Sequence, residues 1–158
     1  MIVFRIEREE YLKTTLLGFG ASKTEGYRWN SFNTRMVYTA ETRALVTLAV
    51  SVHLDLSKDL PDDRFYVQIE IPDELTIQEV KLEDLPEGWN SKPPGLATQT
   101  IGDDFVNYNE FAVLRVPSSI VPEEYNYLIN PNHPDSSKIK VLGTTKMDFD
   151  IRLKSGKK

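Results

Sequence analysis

Cysteine is absent from this chain, which excludes disulfides, thiolate metal sites and cysteine nucleophiles. Its absence also fits a reducing compartment. Histidine is nearly absent too: His53 and His133 are the only two, too few for a histidine-rich metal centre. No run approaches the ~20 apolar residues of a membrane-crossing helix. The start, Met1 to Glu7, has no basic stretch ahead of an apolar core, so it does not read as a signal peptide. Basic excess is lacking as well. Lysine and arginine number 19 against 24 acids, a net charge of −5, which argues against a surface built for nucleic acid. One basic cleft is still compatible with that balance. Together these absences point to a cytoplasmic, soluble protein with no metal, no membrane contact and no direct nucleic-acid contact.

What is present suits one ordinary globular domain. A chain of 158 residues can bury a sizeable core, and 40% apolar with 27% charged residues is a usual balance. Residues 2–6 and 65–71 are rich in apolar, β-branched and aromatic residues and predict strands, the second with clean alternation. Further strands are predicted at 35–39, 77–82, 111–116, 125–129, 139–142 and 147–153. Charge mixed with leucine predicts a short helix over 7–17. Leu45, Leu48, Ala49 and Val52 make one apolar face of a helix over 41–54, with Thr39 as its N-cap and Glu41 in its first turn. A third helix is predicted over 96–108, where Gly102 is unfavourable. The segments 18–35 and 86–94 read as loop and turn. The sum is an α+β, sheet-dominated single domain with two or three helices, spanning 1–154, with 155–158 as a tail.

Three segments carry candidate chemistry. The first is Gly26-Tyr27-Arg28-Trp29-Asn30, in a glycine-bearing loop that also holds Lys23. An arginine presents a rigid fork of donors to phosphate or carboxylate, and glycine lets a backbone approach closely. The second is Ser118 after Pro117, at a strand end. The third is Asn130-Pro131-Asn132-His133-Pro134. Each also has a plain structural reading. Arg28 reads equally as a surface arginine, Trp29 as core filler and Tyr38 as a sheet-face aromatic. Ser118, Asn130 and His133 suit turns, and His53 suits a structural place on its helix. No G-x-S-x-G context marks Ser118 as a nucleophile.

The order of these motifs resembles the RES domain, the toxin of Xre/RES toxin–antitoxin pairs. The matching residues are Gly26 to Asn30, Tyr38 to Glu41, Val116 to Ser118, Asn126 to Pro134 and Arg152-Leu153. The resemblance runs over nearly the whole chain, and its most specific part surrounds Asn130. It implies a fold similar to bacterial ADP-ribosyltransferase toxins. It also implies degradation of NAD+ as substrate, by phosphorolysis with inorganic phosphate or by hydrolysis, with protein ADP-ribosylation as an alternative. The implied partner is a helix-turn-helix, Xre-type antitoxin that covers the active site, in an oligomer of toxin–antitoxin pairs.

Carried over by residue, the resemblance makes Arg28, Tyr38 and Ser118 the catalytic set. Lys23, Trp29, Asn30 and Asn130 are implied contacts to the nucleotide or its surroundings. The family glutamate falls on Ala49, within Ala44-Leu45-Val46-Thr47-Leu48-Ala49-Val50. Glu41 is no substitute, since eight residues at 1.5 Å each place it about 12 Å away along a helix axis. Cleaving the nicotinamide–ribose bond passes through an oxocarbenium-like state, which a carboxylate stabilises. With alanine there, the resemblance implies a folded but catalytically impaired copy: a glutamate deliberately replaced, or a naturally inactive binding module.

Overall fold

The computed structural model describes residues 1–153. Seven strands form one mixed sheet: β1 Ile2–Arg8, β2 Val37–Ala40, β3 Arg64–Glu70, β4 Ile77–Glu79, β5 Val113–Pro117, β6 Tyr125–Ile129 and β7 Lys140–Lys146. Their order is β4-β5-β6-β2-β1-β3-β7, with β4 and β5 parallel and every other pair antiparallel. The α-helices are α1 Phe19–Ser22, α2 Arg43–Ser51 and α3 Leu96–Tyr108. The α+β, sheet-dominated expectation therefore holds. The expected tail, 155–158, lies outside the described residues.

Alternation on the strands divides the core between two faces. Val3, Val37, Val67, Val113 and Ile129 point to one face, where Leu12 and Leu16 of a 3-10 helix, Glu9–Leu17, cover them. The other face carries two clusters. Leu114, Val116 and Leu128 pack under α3 with Trp29 and Phe105. Ile6 and Ala40 pack under α2 with Leu45, Val46, Met147 and Phe149. Tyr38 belongs to this second face, on the strand that runs between the helices.

Several local expectations need correction. Residues 7–17 form a strand end and a 3-10 helix, not an α-helix. Gly18, at φ +69°, stops that helix where a Cβ would stand 2.8 Å from the Met36 nitrogen. The α2 helix starts later than predicted. Its N-cap is Thr42, whose side chain accepts from the Leu45 amide at 3.0 Å, whereas Thr39 lies in β2 and donates to Tyr127 O. Glu41 precedes the helix and accepts from the Tyr125 amide at 3.0 Å. No strand forms over 147–153. Met147 and Phe149 turn instead into the cluster under α2, and 151–153 is a 3-10 turn. The segment 18–35, expected as loop throughout, contains α1.

Gly102 was the weak point of the third predicted helix, and α3 runs through it intact. A Cβ there would stand 1.6 Å from the Trp29 carbonyl oxygen. The glycine is thus the place where helix and loop backbones touch.

Candidate functional site

Tyr38 and Asn30 tie the arginine loop to the sheet. The Tyr38 hydroxyl donates to Asn30 Oδ1 at 2.6 Å and accepts from the Trp29 amide at 3.1 Å. The Asn30 amide donates to the carbonyls of Ala21, Ser31 and Thr34 at 2.9 to 3.2 Å. Asn30 is 1% exposed, so its polar atoms are satisfied within the protein. Tyr27 lies against Tyr38 with ring centroids 5.2 Å apart. Burial pushes the Tyr38 phenol far above its ordinary range, and it stays protonated.

That shift has a testable sign. Folding keeps the phenol protonated, whereas in the unfolded chain it ionises near pH 10. Its contribution to stability is complete below about pH 10 and is lost as pH rises beyond it. Tyr38→Phe should therefore flatten the alkaline fall in stability by about 1.4 kcal/mol per pH unit above pH 10. At neutral pH it should cost about 1–3 kcal/mol, because Asn30 Oδ1 and the Trp29 amide lose their partner. Urea unfolding of both proteins at pH 7 and pH 11 measures the two effects. Parallel alkaline limbs would contradict the assignment.

Arg28 is half-buried and reaches away from Asn30. Its Nη1 donates to Trp89 O at 2.8 Å and its Nη2 to Ser91 O at 3.1 Å. Two of the five guanidinium N–H donors are used in this way, which leaves an anchored cation with donors to spare. Burial lowers the Arg28 pKa, and the group remains charged. Trp29 is buried beside Trp89, with centroids 6.4 Å apart. Trp29 is thus core as well as neighbour of the arginine.

The other candidates lie around this assembly. Ser118 is 2% exposed and begins a turn: its Oγ accepts from the amides of Ile120 and Val121 at 3.2 and 3.3 Å. With both acceptor positions filled, its hydroxyl can only donate. That turn delivers Val121 to the cluster under α2. Ala49 is half-buried on α2, one turn beyond the buried Leu45. Asn130 caps the opposite end of β6, roughly 17 Å from the Ser118 end at the strand rise. Its side chain donates to Asn109 Oδ1 at 2.8 Å and accepts from the Asn132 amide at 3.0 Å. Lys23 is exposed, with its ammonium 5.8 Å from the Phe19 ring centroid.

Trp29, Asn30 and Tyr38 thus form one hydrogen-bonded unit, while Arg28, in the same loop, is bonded to the turn at Trp89 and Ser91. Tyr38 pairs with Leu128 and so stands nearer the Asn130 end of β6 than the Ser118 end, and Ala49 lies on α2. Sequence reasoning missed Gln99 and Asp103 of α3, which hold the loop by hydrogen bonds to the backbone of Tyr27 and Ser31. Their spacing of four on one helix face was the available signal. Two depressions of about 230 and 260 Å³ meet at His133, away from Arg28; the first is lined by Glu110 and Lys138, the second by Leu17 and Ile139. Among the described residues, no cluster of His, Asp and Glu could hold a metal ion.

With this geometry in view, the chain matches the RES domain model over residues 2–152. It belongs to the RES-domain family. A relative from Sphingobium sp. (strain YBL2), named Prs ADP-ribosylating toxin, is 43% identical over 90% of this chain and 89% of its own length. A relative from Yersinia enterocolitica, named Toxin Res, is 34% identical over 98% of this chain and all of its own. The fold is shared with a chain in the crystal structure of the Mycobacterium tuberculosis MbcT–MbcA toxin–antitoxin complex. That match has a TM-score of 0.74 at 12% identity and covers 92% of this RES domain and 83% of that chain.

Proposed function

We propose that this RES domain, residues 1–154, is the toxin of a toxin–antitoxin pair and acts on NAD+ in the cytoplasm by cleaving its nicotinamide–ribose bond. The observation that carries this reading is the anchored Arg28 beside Tyr38 and Asn30, in a family whose relatives are named as toxins. Arg28 holds the pyrophosphate, or an attacking phosphate, through its uncommitted N–H groups. Ser118 donates its hydroxyl proton to the same anion. Tyr38, neutral and half-buried, contacts the nicotinamide riboside end, and Trp29 walls the pocket. Asn30 fixes the loop that presents Arg28, and Lys23 adds a cation at its rim. Asn130 acts on the same site only through the backbone it orders. Ala49 marks a copy that lacks the carboxylate needed at the developing ribose cation and is therefore impaired in turnover.

The partner is an Xre-type helix-turn-helix antitoxin that covers the site, in an oligomer of toxin–antitoxin pairs. Support for a partner is the likeness to a chain solved within a toxin–antitoxin complex.

Binding should survive without the carboxylate. Calorimetry should detect NAD+ binding to the chain as it stands, and Arg28→Ala should weaken it by about tenfold or more, the loss of a charge-assisted contact. Unchanged affinity would remove Arg28 from the site. The reaction type is decided by products from the Ala49→Glu protein. Phosphate-dependent release of a phosphorylated ADP-ribose marks phosphorolysis, and free ADP-ribose marks hydrolysis. The name of the 43% identical relative favours a second reading, ADP-ribosylation of a protein. Labelled NAD+ in lysate tests that reading, and absence of any labelled protein would discard it.

A further inference from the structure

We propose that Gln99 and Asp103 of α3 are positioning residues for Arg28, forming with Gly102 a ledge that fixes the arginine loop for NAD+ binding. The proposal rests on the NAD+ reading of that site. The loop has little regular structure of its own between α1 and β2, and it enters through Gly26 at φ +94°. Something else must hold it still. Gln99 Nε2 donates to Tyr27 O at 3.0 Å. Asp103 Oδ1 accepts from the Ser31 amide at 2.9 Å. Between them the bare backbone of Gly102 lies against the Trp29 carbonyl.

These three residues stand at i, i+3 and i+4 on α3, which places them on one helix face. They meet the backbone at 27, 29 and 31, on both sides of Arg28. Neither polar contact involves the guanidinium itself. Its two anchors, Trp89 O and Ser91 O, come from the 86–94 turn. Beyond the Asn30–Tyr38 tie to the sheet, the arginine therefore has two further supports. One orients its head through that turn, and the other fixes the chain that carries it through α3. A ligand-binding arginine gains affinity when its geometry is set before the ligand arrives.

The test compares the chain as it stands with Gln99→Ala, Asp103→Ala, the double variant and Asp103→Asn. All are measured at a temperature where circular dichroism shows each folded. Two readouts are taken: NAD+ affinity by calorimetry, and hydrogen exchange at the Trp29 amide. The partner of that amide is the Tyr38 hydroxyl, which none of these substitutions touches. The double variant should bind NAD+ about tenfold more weakly and exchange the Trp29 amide about tenfold faster, the scale expected when the loop's two hydrogen bonds to α3 are lost. Asp103→Asn keeps an acceptor oxygen for Ser31 and should restore both values nearly to those of the parent. A folded double variant with unchanged affinity and unchanged Trp29 exchange would overturn the proposal. If the parent itself binds no NAD+, the functional reading fails instead, and the Trp29 exchange alone decides whether the ledge holds the loop.

Discussion

Placing glutamate at position 49 should raise NAD+ consumption by about 10²–10³ and arrest growth of cells that express the protein. The magnitude is that of one preorganised group that stabilises charge in the transition state, about 3–4 kcal/mol. The position suits such a group. Ala49 is half-buried on α2, one turn after the buried Leu45, so a longer side chain is less confined there than at a fully buried position. The cost to the fold is small by comparison. Glutamate is a good helix former, a few tenths of a kcal/mol below alanine. Ala49 lies in the last turn of α2, where a negative charge opposes the helix dipole by about 0.3–1 kcal/mol. The expected gain in transition-state stabilisation exceeds both penalties together. NAD+ loss is measured with purified protein, with and without phosphate, alongside growth under induced expression. An Ala49→Glu protein that is folded and leaves NAD+ intact in both buffers would defeat the proposed activity.

A methyl group at position 102 should destabilise the protein by about 3 kcal/mol and abolish NAD+ binding. The added Cβ would stand 1.6 Å from the Trp29 carbonyl oxygen and 2.6 Å from its carbon, so α3 and the loop must separate. Overpacking in a tight interior typically costs about 1–3 kcal/mol, and here the obstacle is backbone that cannot rotate away. Trp29 is 3% exposed and held against Trp89, which leaves it little freedom to yield. Alanine gains about 1 kcal/mol over glycine as a helix former, which offsets only part of the clash. For a domain of this size, 3 kcal/mol corresponds to a fall in melting temperature of roughly 6–12 °C. Thermal and urea unfolding of Gly102→Ala measure it. A variant as stable as the parent would show that the contact is looser than the structure has it.

The same glycine shows where sequence reading reaches its limit. Residue by residue, Gly102 argues against a helix, and α3 forms around it because a backbone from far away in sequence needs the space. Thr39 fails as an N-cap for a similar reason. Capping chemistry suits both Thr39 and Thr42, but Thr39 is taken up in β2 by pairing with Tyr127, so the helix starts after Thr42. At the C-terminal end, Met147 and Phe149 carry the alternation of a strand. They serve as plugs for the cluster under α2. The strand β3 was legible because Phe65, Val67 and Ile69 repeat at period two, with Val67 and Ile69 fully buried and Gln68 between them only half-buried.

The ordered motifs of the sequence were enough to determine the family and the α+β class, and they named the residues proposed for the site, with an alanine where the resemblance calls for a carboxylate. These are statements about residue type and order, which a chain carries whether folded or not. Only the tertiary structure decided how the site is held. Arg28 is anchored by the carbonyls of Trp89 and Ser91, and its loop by Gln99 and Asp103, about 60 to 70 residues further along the chain. The loop's side of these bonds, like both of Arg28's anchors, is backbone N–H or C=O, which nearly every residue possesses alike. Such partners leave no mark in the sequence, because folding selects them by position and not by residue type.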